Sequence, residues 1–412
     1  MSCRTGALRG RRSLRDMYTR FASLLPLVDT GVVREPERAP REAITHHEVV
    51  AARVGRPSGR TRLRMALMKK ILVTGGSGFF GGVLKRRLLA EGYACVNIDL
   101  VADADRHANL TSVQGDIRNT ELLARLYTEH GFSAVFHCAA QLAHDAIDDT
   151  LLWTSNVDGT RNVAEANKRF GVKKLVFIST NCLWASNLGK EVDESEVPEP
   201  IELYGRSKLA GEQILKEYEA DLNVITIRCP TIIDIGRLGL LAILFEFILD
   251  GRKVWVVGDG GNRYQFIYAQ DLATACVQAL GYDQSDLFHI GSENVVSLGE
   301  VYQAVIDVAG TKARVARLPK GPTIAAMKLA HKLKISPLGP YHYRMIAEDF
   351  IFDTRKIRAR LGWKPTVTNQ EMMIEAYRYY AGQAKAIHAR KDVSAHSKPA
   401  QMGVIRLLKW IS

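Results

Sequence analysis

From residue 69 the chain alternates short β-rich runs with stretches of helical pattern. "KKILVTGG", "ACVNIDL", "AVFHCAA", "KKLVFIST" and "NVITIRCP" read as strands; "FFGGVLKRRLLAEG", "TELLARLYTEHG", "TSNVDGTRNVAEANKRFG" and "SKLAGEQILKEYEAD" read as the helices between them. Strands without a polar face must be covered on both sides, which predicts a parallel sheet layered by helices. Right-handed crossovers make this α/β pattern a doubly wound, Rossmann-type sheet. After Pro230 the pattern changes to a long apolar helix, a short "KVWVVGD" strand and smaller mixed elements. These predict a smaller C-terminal substrate-binding lobe, mainly residues 231–262 and 290–350, interleaved with a body spanning 68–383.

The first strand runs into "TGGSGFFGG", with glycines at 75, 78 and 81. Glycines in a strand-to-helix turn let the backbone approach a pyrophosphate, and the N-terminus of the next helix faces its charge. The second strand ends at Asp99, 21 residues beyond Gly78. A carboxylate there accepts bonds from ribose hydroxyls and repels a 2′-phosphate, so the expected cofactor is NAD rather than NADP. "GDIRN", with Asp116 and Ile117 framing an adenine, and "HCAA", whose Ala139 and Ala140 let the chain pass beside a cofactor, fit the same reading.

Charge changes the picture only at the ends. The chain carries a formal +12, but residues 1–67 hold fourteen Arg, no Lys and six acids, and residues 384–412 hold six Lys/Arg and one acid. The body is left at −1, which excludes a nucleic-acid footprint on it. The leader is expected to be a disordered extension, a targeting peptide, or translation from upstream of a start at Met65 or Met68. Six scattered cysteines without paired spacing imply buried thiols in a reducing, cytoplasmic compartment and no metal site. "LGLLAILFEFILDG" is interrupted by Glu246 and reads as a buried helix lining a cavity. The tail "GVIRLLKWIS" has the composition of a segment that lies on a membrane surface, or packs on the body or another subunit.

The motifs "TGGSGFFG", "GDI", "HCAA", "SNVDGT", "FIST", "YGRSK", "IRCP" and "GDGGNRYQFIYAQDLA", taken in order, resemble the extended short-chain dehydrogenase/reductase superfamily. Within it the chain is similar to the NAD-dependent epimerase/dehydratase family over roughly residues 69–380. The resemblance implies catalytic Thr180, Tyr204 and Lys208. It implies cofactor contacts from Gly75, Gly78, Phe79, Phe80, Gly81, Asp99, Asp116, Ile117, Ala139, Ala140, Asn156, Tyr204 and Lys208. Substrate contacts fall on Thr180, Asn181, Thr231 and Arg263, and a homodimer would be built on helices over 151–170 and 205–220. A free phenol has a pKa near ~10, so Tyr204 needs the Lys208 ammonium one turn away and a positive nicotinamide to act as a base.

In the dehydratases of this family an Asp–Glu pair follows the hydroxyl residue. Here Asn181 and Cys182 stand there, and neither replaces a carboxylate acid or base. With NAD rather than NADP expected, the resemblance therefore implies a nucleotide-sugar epimerase acting at C4 through a transient 4-keto intermediate. An NAD-dependent 3β-hydroxysteroid-type dehydrogenase, another sugar-nucleotide enzyme of the family, and a non-catalytic NAD-sensing protein stay open as alternatives.

Overall fold

Seven strands form one parallel sheet in the order β10-β6-β5-β4-β1-β2-β3. A computed structural model describes residues 69–142, 148–184, 188–333 and 345–388; the expected leader and the tail beyond 388 lie outside the described residues. The strands are β1 (Lys70–Thr74), β2 (Ala94–Asp99), β3 (Leu110–Gln114), β4 (Ala134–His137), β5 (Lys174–Thr180), β6 (Asn223–Cys229) and β10 (Asp286–His289). Chain direction across the sheet reverses between β1 and β4. Their C-terminal ends frame the crevice where such sheets receive ligands. β5 is buried along its whole length, whereas edge strand β3 is mostly open to solvent, so polarity in "LTSVQ" reports position rather than weakness.

Alternation within each strand feeds two cores. Ile71 and Val73 point to a face packed by α1 (Phe79–Ala90), α7 (Ala269–Ala279) and α10 (Arg355–Leu361). Leu72 points to the other face, packed by α2 (Thr120–His130), α4 (Asp158–Arg169) and α5 (Leu203–Glu217). Local signals set the ends of α2: Asn119 accepts a bond from Leu122 N at 2.9 Å, and Gly131 ends the helix at φ +61°. The single helix expected over "TSNVDGTRNVAEANKRFG" is in fact two, α3 (Asp149–Asn156) and α4, meeting at Val157. At this junction the Asn156 carbonyl takes the Thr160 hydroxyl at 2.6 Å, while the Asn156 side chain is drawn to the loop after β4.

A separate core gathers α6 (Leu241–Leu249), α8 (Leu298–Ala309) and α11 (Asn369–His388) beside β8 (Lys253–Val257). Ser297 and Glu300 close α8 with a reciprocal capping box. Phe245, Phe247 and Ile248 of α6 are buried in this core, against Tyr377 and Tyr380 among others. The lobe therefore draws on residues 369–388 as well as on the two segments expected from sequence. Two small parallel pairs, β8 with β11 (Arg314–Leu318) and β7 (Thr231–Ile233) with β9 (Phe266–Tyr268), complete it.

Candidate active site

The turn between β1 and α1 has no room for a side chain at Gly75 or Gly76. Gly75 has φ +74°, and a Cβ on it would lie 2.7 Å from both the nitrogen and the Cα of Ala139. The turns after β1 and β4 thus touch across the crevice. A Cβ on Gly81 would meet the Gly75 carbonyl oxygen at 2.1 Å, so α1 starts directly against the turn. Gly78 caps α1 without a side chain, and no acid stands in the first turn with Phe79 and Phe80. That leaves the helix N-terminus suited to a diphosphate.

Three residues that sequence reading passed over hold this turn. Gly76 N donates to Asn97 Oδ1 at 2.8 Å, and Asn97 Nδ2 donates to Ser77 Oγ at 3.0 Å and Asp103 Oδ2 at 2.7 Å. Lys85, fully buried on α1, pairs with Asp103 and with Asp105 at 3.0 Å. Asp99 accepts from Ser77 N at 2.9 Å and Val101 N at 3.0 Å, which fixes its carboxylate beside the turn. A lone lysine on the buried face of "FFGGVLK" was the one signal of this network in the sequence. Asp116 is tied to Arg118, whose hydrogen bonds outweigh burial and hold its carboxyl below the usual range. Ile117 is buried, and Gly159 leaves it room: a Cβ there would come within 2.6 Å of Ile117 Cδ1.

A proton-ordered chain runs under the crevice from β1 to α5. The Thr160 hydroxyl gives its only proton to the Asn156 carbonyl, so at 2.9 Å it accepts from His137 Nε2. His137 Nδ1 then accepts from the Thr74 hydroxyl at 2.7 Å, whose oxygen accepts from Ala139 N at 3.2 Å. Burial, helped by Lys208, pushes the His137 imidazole down to about 3, which keeps this neutral tautomer in place. The Asn156 amide bonds both backbone groups of Gln141 and donates to Ser207 Oγ at 2.9 Å. Ser207 in turn donates to the Tyr204 carbonyl at 2.8 Å. Asn156 thus joins the loop after β4, which carries half-buried Ala139 and exposed Ala140, to the first turn of α5.

Thr180 ends β5, and its Oγ1 accepts from Cys182 N at 3.1 Å, starting a 3₁₀ turn over Asn181–Leu183. α5 lies against this turn because Gly205 has no side chain; a Cβ would sit 2.3 Å from the Cys182 carbonyl oxygen. Tyr204 and Lys208 project from the same face of α5 at i, i+4 spacing. Lys208 is buried with Nζ 3.9 Å from the centre of the Phe177 ring, and burial pushes its ammonium down to about 8 against the opposing charge of Glu212. Desolvation pushes the Tyr204 phenol above its ordinary value, with Cys182 and Cys229 adding to it and Arg237 opposing. In the free protein the phenol therefore holds its proton at neutral pH. Glu212, one turn beyond Lys208, accepts from Ser179 Oγ at 2.5 Å and from Arg228 at 2.6–3.2 Å, which clamps α5 to β5 and β6.

Asn181 and Tyr264 are both buried, and Asn181 Nδ2 donates to the Tyr264 hydroxyl at 2.6 Å. Arg263, its neighbour, turns outward to Asp349 at 3.7 Å with its side chain 56% exposed. Thr231 is half-buried, with Oγ1 3.8 Å from Met345 Sδ. Thr180 and Asn181 thus stand at the C-terminal end of interior strand β5 and in the turn after it, α5 carries Tyr204 and Lys208 against that turn, and Arg263 lies on the surface.

The family model of the NAD dependent epimerase/dehydratase family matches residues 71–291. An uncharacterized protein, y4nG, from Sinorhizobium fredii is 35% identical over 346 residues, covering 84% of this chain and 86% of its own. UDP-glucose 4-epimerase of Mycolicibacterium smegmatis is 27% identical over 339 residues, covering 77% of this chain and all of its own. The crystal structure of UDP-glucose 4-epimerase from Thermotoga maritima shares the fold with a TM-score of 0.64 at 23% identity, over 76% of this chain and 99% of that one. The chain therefore belongs to the NAD dependent epimerase/dehydratase family.

Proposed function

We propose that the protein is an NAD-dependent nucleotide-sugar epimerase that inverts C4 of a hexose through a transient 4-keto sugar. One observation supports the reading: the turn that follows Thr180 packs through the Cys182 carbonyl against Gly205 of α5, the helix that carries Tyr204 and Lys208, while the Asn181 and Cys182 of that turn differ from the Asp–Glu pair that the resemblance implies for a dehydratase. Gly75, Gly78, Gly81 and the first turn of α1 would hold the cofactor's diphosphate, Asp99 its adenosine ribose, and Lys208 its nicotinamide ribose. Oxidised NAD, when bound, supplies the hydride acceptor and a positive ring charge that favours the phenolate. Tyr204 takes the proton of the C4 hydroxyl as the C–H bond breaks, and gives it back when hydride returns to the opposite face. Lys208, mostly ammonium below its value of about 8, holds the phenolate; Thr180 bonds the reacting oxygen and keeps it in line. The order of charges matters, because burial alone opposes an ionised phenol here.

The test is a turnover screen with UDP-, GDP- and dTDP-hexoses, read by product analysis and by absorbance of reduced cofactor. Interconversion of C4 epimers without net reduced cofactor supports the reading. Stoichiometric reduced cofactor, with a sugar or a sterol, makes the protein a dehydrogenase, and loss of water from the sugar makes it a dehydratase.

A further inference from the structure

The helix α9 (Lys320–Lys332) buries none of its residues. At 100° per residue, Pro322, Ala325, Ala326, Leu329 and the C-cap Leu333 fall within an arc of about 100°. All five are exposed, with Leu329 58% and Leu333 59% open. Thr323, Ile324, Met327 and Ala330, on the opposite side, are half-buried. The helix therefore turns a continuous apolar stripe outward, bordered along one edge by exposed Lys328 and Lys332.

The charge along this stretch of sequence is equally one-sided. From Val308 to Ala347 the sequence has eight Lys/Arg and no acid, a net +8 inside a body of net −1. Among the described residues Lys312, Arg314, Arg317, Lys320, Lys328 and Lys332 form no ion pair, although cations elsewhere on the fold are commonly paired. We propose that α9 is a docking helix that lays this face of the lobe on an anionic lipid bilayer, with Leu329 and Leu333 entering the headgroup boundary and Lys328 and Lys332 reaching the phosphates. An apolar stripe edged by long cationic side chains is the pattern that settles in such an interface. A second copy is a poor occupant, because a symmetric contact would face lysine with lysine and this stretch offers no carboxylate between them. The contact is peripheral: among the described residues no helix is long and apolar enough to cross a membrane. The proposal is independent of which reaction the active site performs.

Vesicle flotation with the full chain tests it, using phosphatidylcholine alone and phosphatidylcholine mixed with phosphatidylglycerol, at low and high salt. Wild type should partition onto the anionic vesicles and be released by salt. Each lysine near such a surface is worth about a fivefold factor. Lys328→Glu/Lys332→Glu and, separately, Leu329→Asn/Leu333→Asn should therefore each lower partitioning at least about tenfold, with NAD affinity unchanged. Equal binding to neutral and anionic vesicles, no binding at all, or wild-type partitioning by both variants would overturn the proposal. So would sedimentation in which Leu329→Asn/Leu333→Asn splits an oligomer that wild type forms.

Discussion

Gly205→Ala puts the smallest possible load on the contact that sets the catalytic geometry. Its Cβ would stand 2.3 Å from the Cys182 carbonyl oxygen and 2.9 Å from Pro200 Cβ, a backbone group and a proline ring that cannot swing aside. Relief to ordinary contact requires α5 and the 3₁₀ turn to part by about 1 Å. The turn is tied to Thr180 Oγ1, and Tyr204 adjoins the substituted residue, so the two hydroxyls proposed to act on the substrate move relative to each other. Overpacking of this kind costs about 1–3 kcal/mol of stability. A displacement of about 1 Å in the reacting geometry costs on the order of a hundredfold in turnover. The assay is kcat on the sugar pair found in the screen, with calorimetric NAD affinity and thermal unfolding on the same samples. Turnover should fall about a hundredfold while NAD affinity changes little, because the glycine turn is untouched. Gly211→Ala, on the same helix, meets the tip of the Phe177 ring at 3.2 Å and the Asn156 carbonyl and Thr160 hydroxyl at an ordinary 3.6 Å, and should be far milder. Turnover within about threefold of wild type for Gly205→Ala, with the fold intact, refutes the claim that this contact positions Thr180 against Tyr204.

Tyr204→Phe should keep NAD affinity and lose most turnover; unchanged turnover removes Tyr204 from the mechanism. Asp99→Ser should narrow the preference for NAD over NADP in direct binding measurements, and an unchanged ratio would mean that Asp99 does not face the 2′ position. Asp103→Leu strands the buried Lys85, with Asp105 as partial relief, and should cost near the lower end of about 3–5 kcal/mol in denaturant unfolding. Replacing both partners, as Lys85→Met/Asp103→Leu, should recover much of that; no recovery argues against a desolvated pair. His137 and His289 both fold neutral, each pushed down to about 3 by burial, so between that value and about 6.5 the unfolded chain binds protons that the folded one refuses. Stability should then fall as pH drops through this window, by about 1.4 kcal/mol per pH unit for each histidine. Urea midpoints at pH 4–7 check the slope, and a flat profile contradicts the buried neutral imidazoles.

The parts that sequence reading captured are those whose signals are local. Largely apolar strands announced a sheet covered on both faces, and Gly75, Gly78 and Gly81 announced a tight strand-to-helix turn. What holds that turn is not local. Lys85 meets Asp103 and Asp105 only after α1 folds back across β2, and Asn97 is a polar residue inside a strand whose partners lie in other segments. The same limit hid the clamp of Glu212 by Arg228, sixteen residues away, and the membership of Met372, Tyr377 and Tyr380 in the lobe core. At "NRYQF" the neighbours exchanged roles. Arg263 carries the obvious charge yet pairs with Asp349 at the surface, while Tyr264 turns inward to Asn181, because alternate residues of an extended segment face opposite ways. The burial of Tyr204, which raises its phenol, was also out of reach, because the i, i+4 spacing to Lys208 carries no information about it.

The most direct measurement follows a deuterium at C4 of the nucleotide sugar through a single round of turnover. Tyr204 handles only the hydroxyl proton, so the account predicts that the C4 epimer keeps its deuterium in full and that no reduced cofactor accumulates. Deuterium washed into solvent, or one reduced cofactor formed for each sugar consumed, would contradict it.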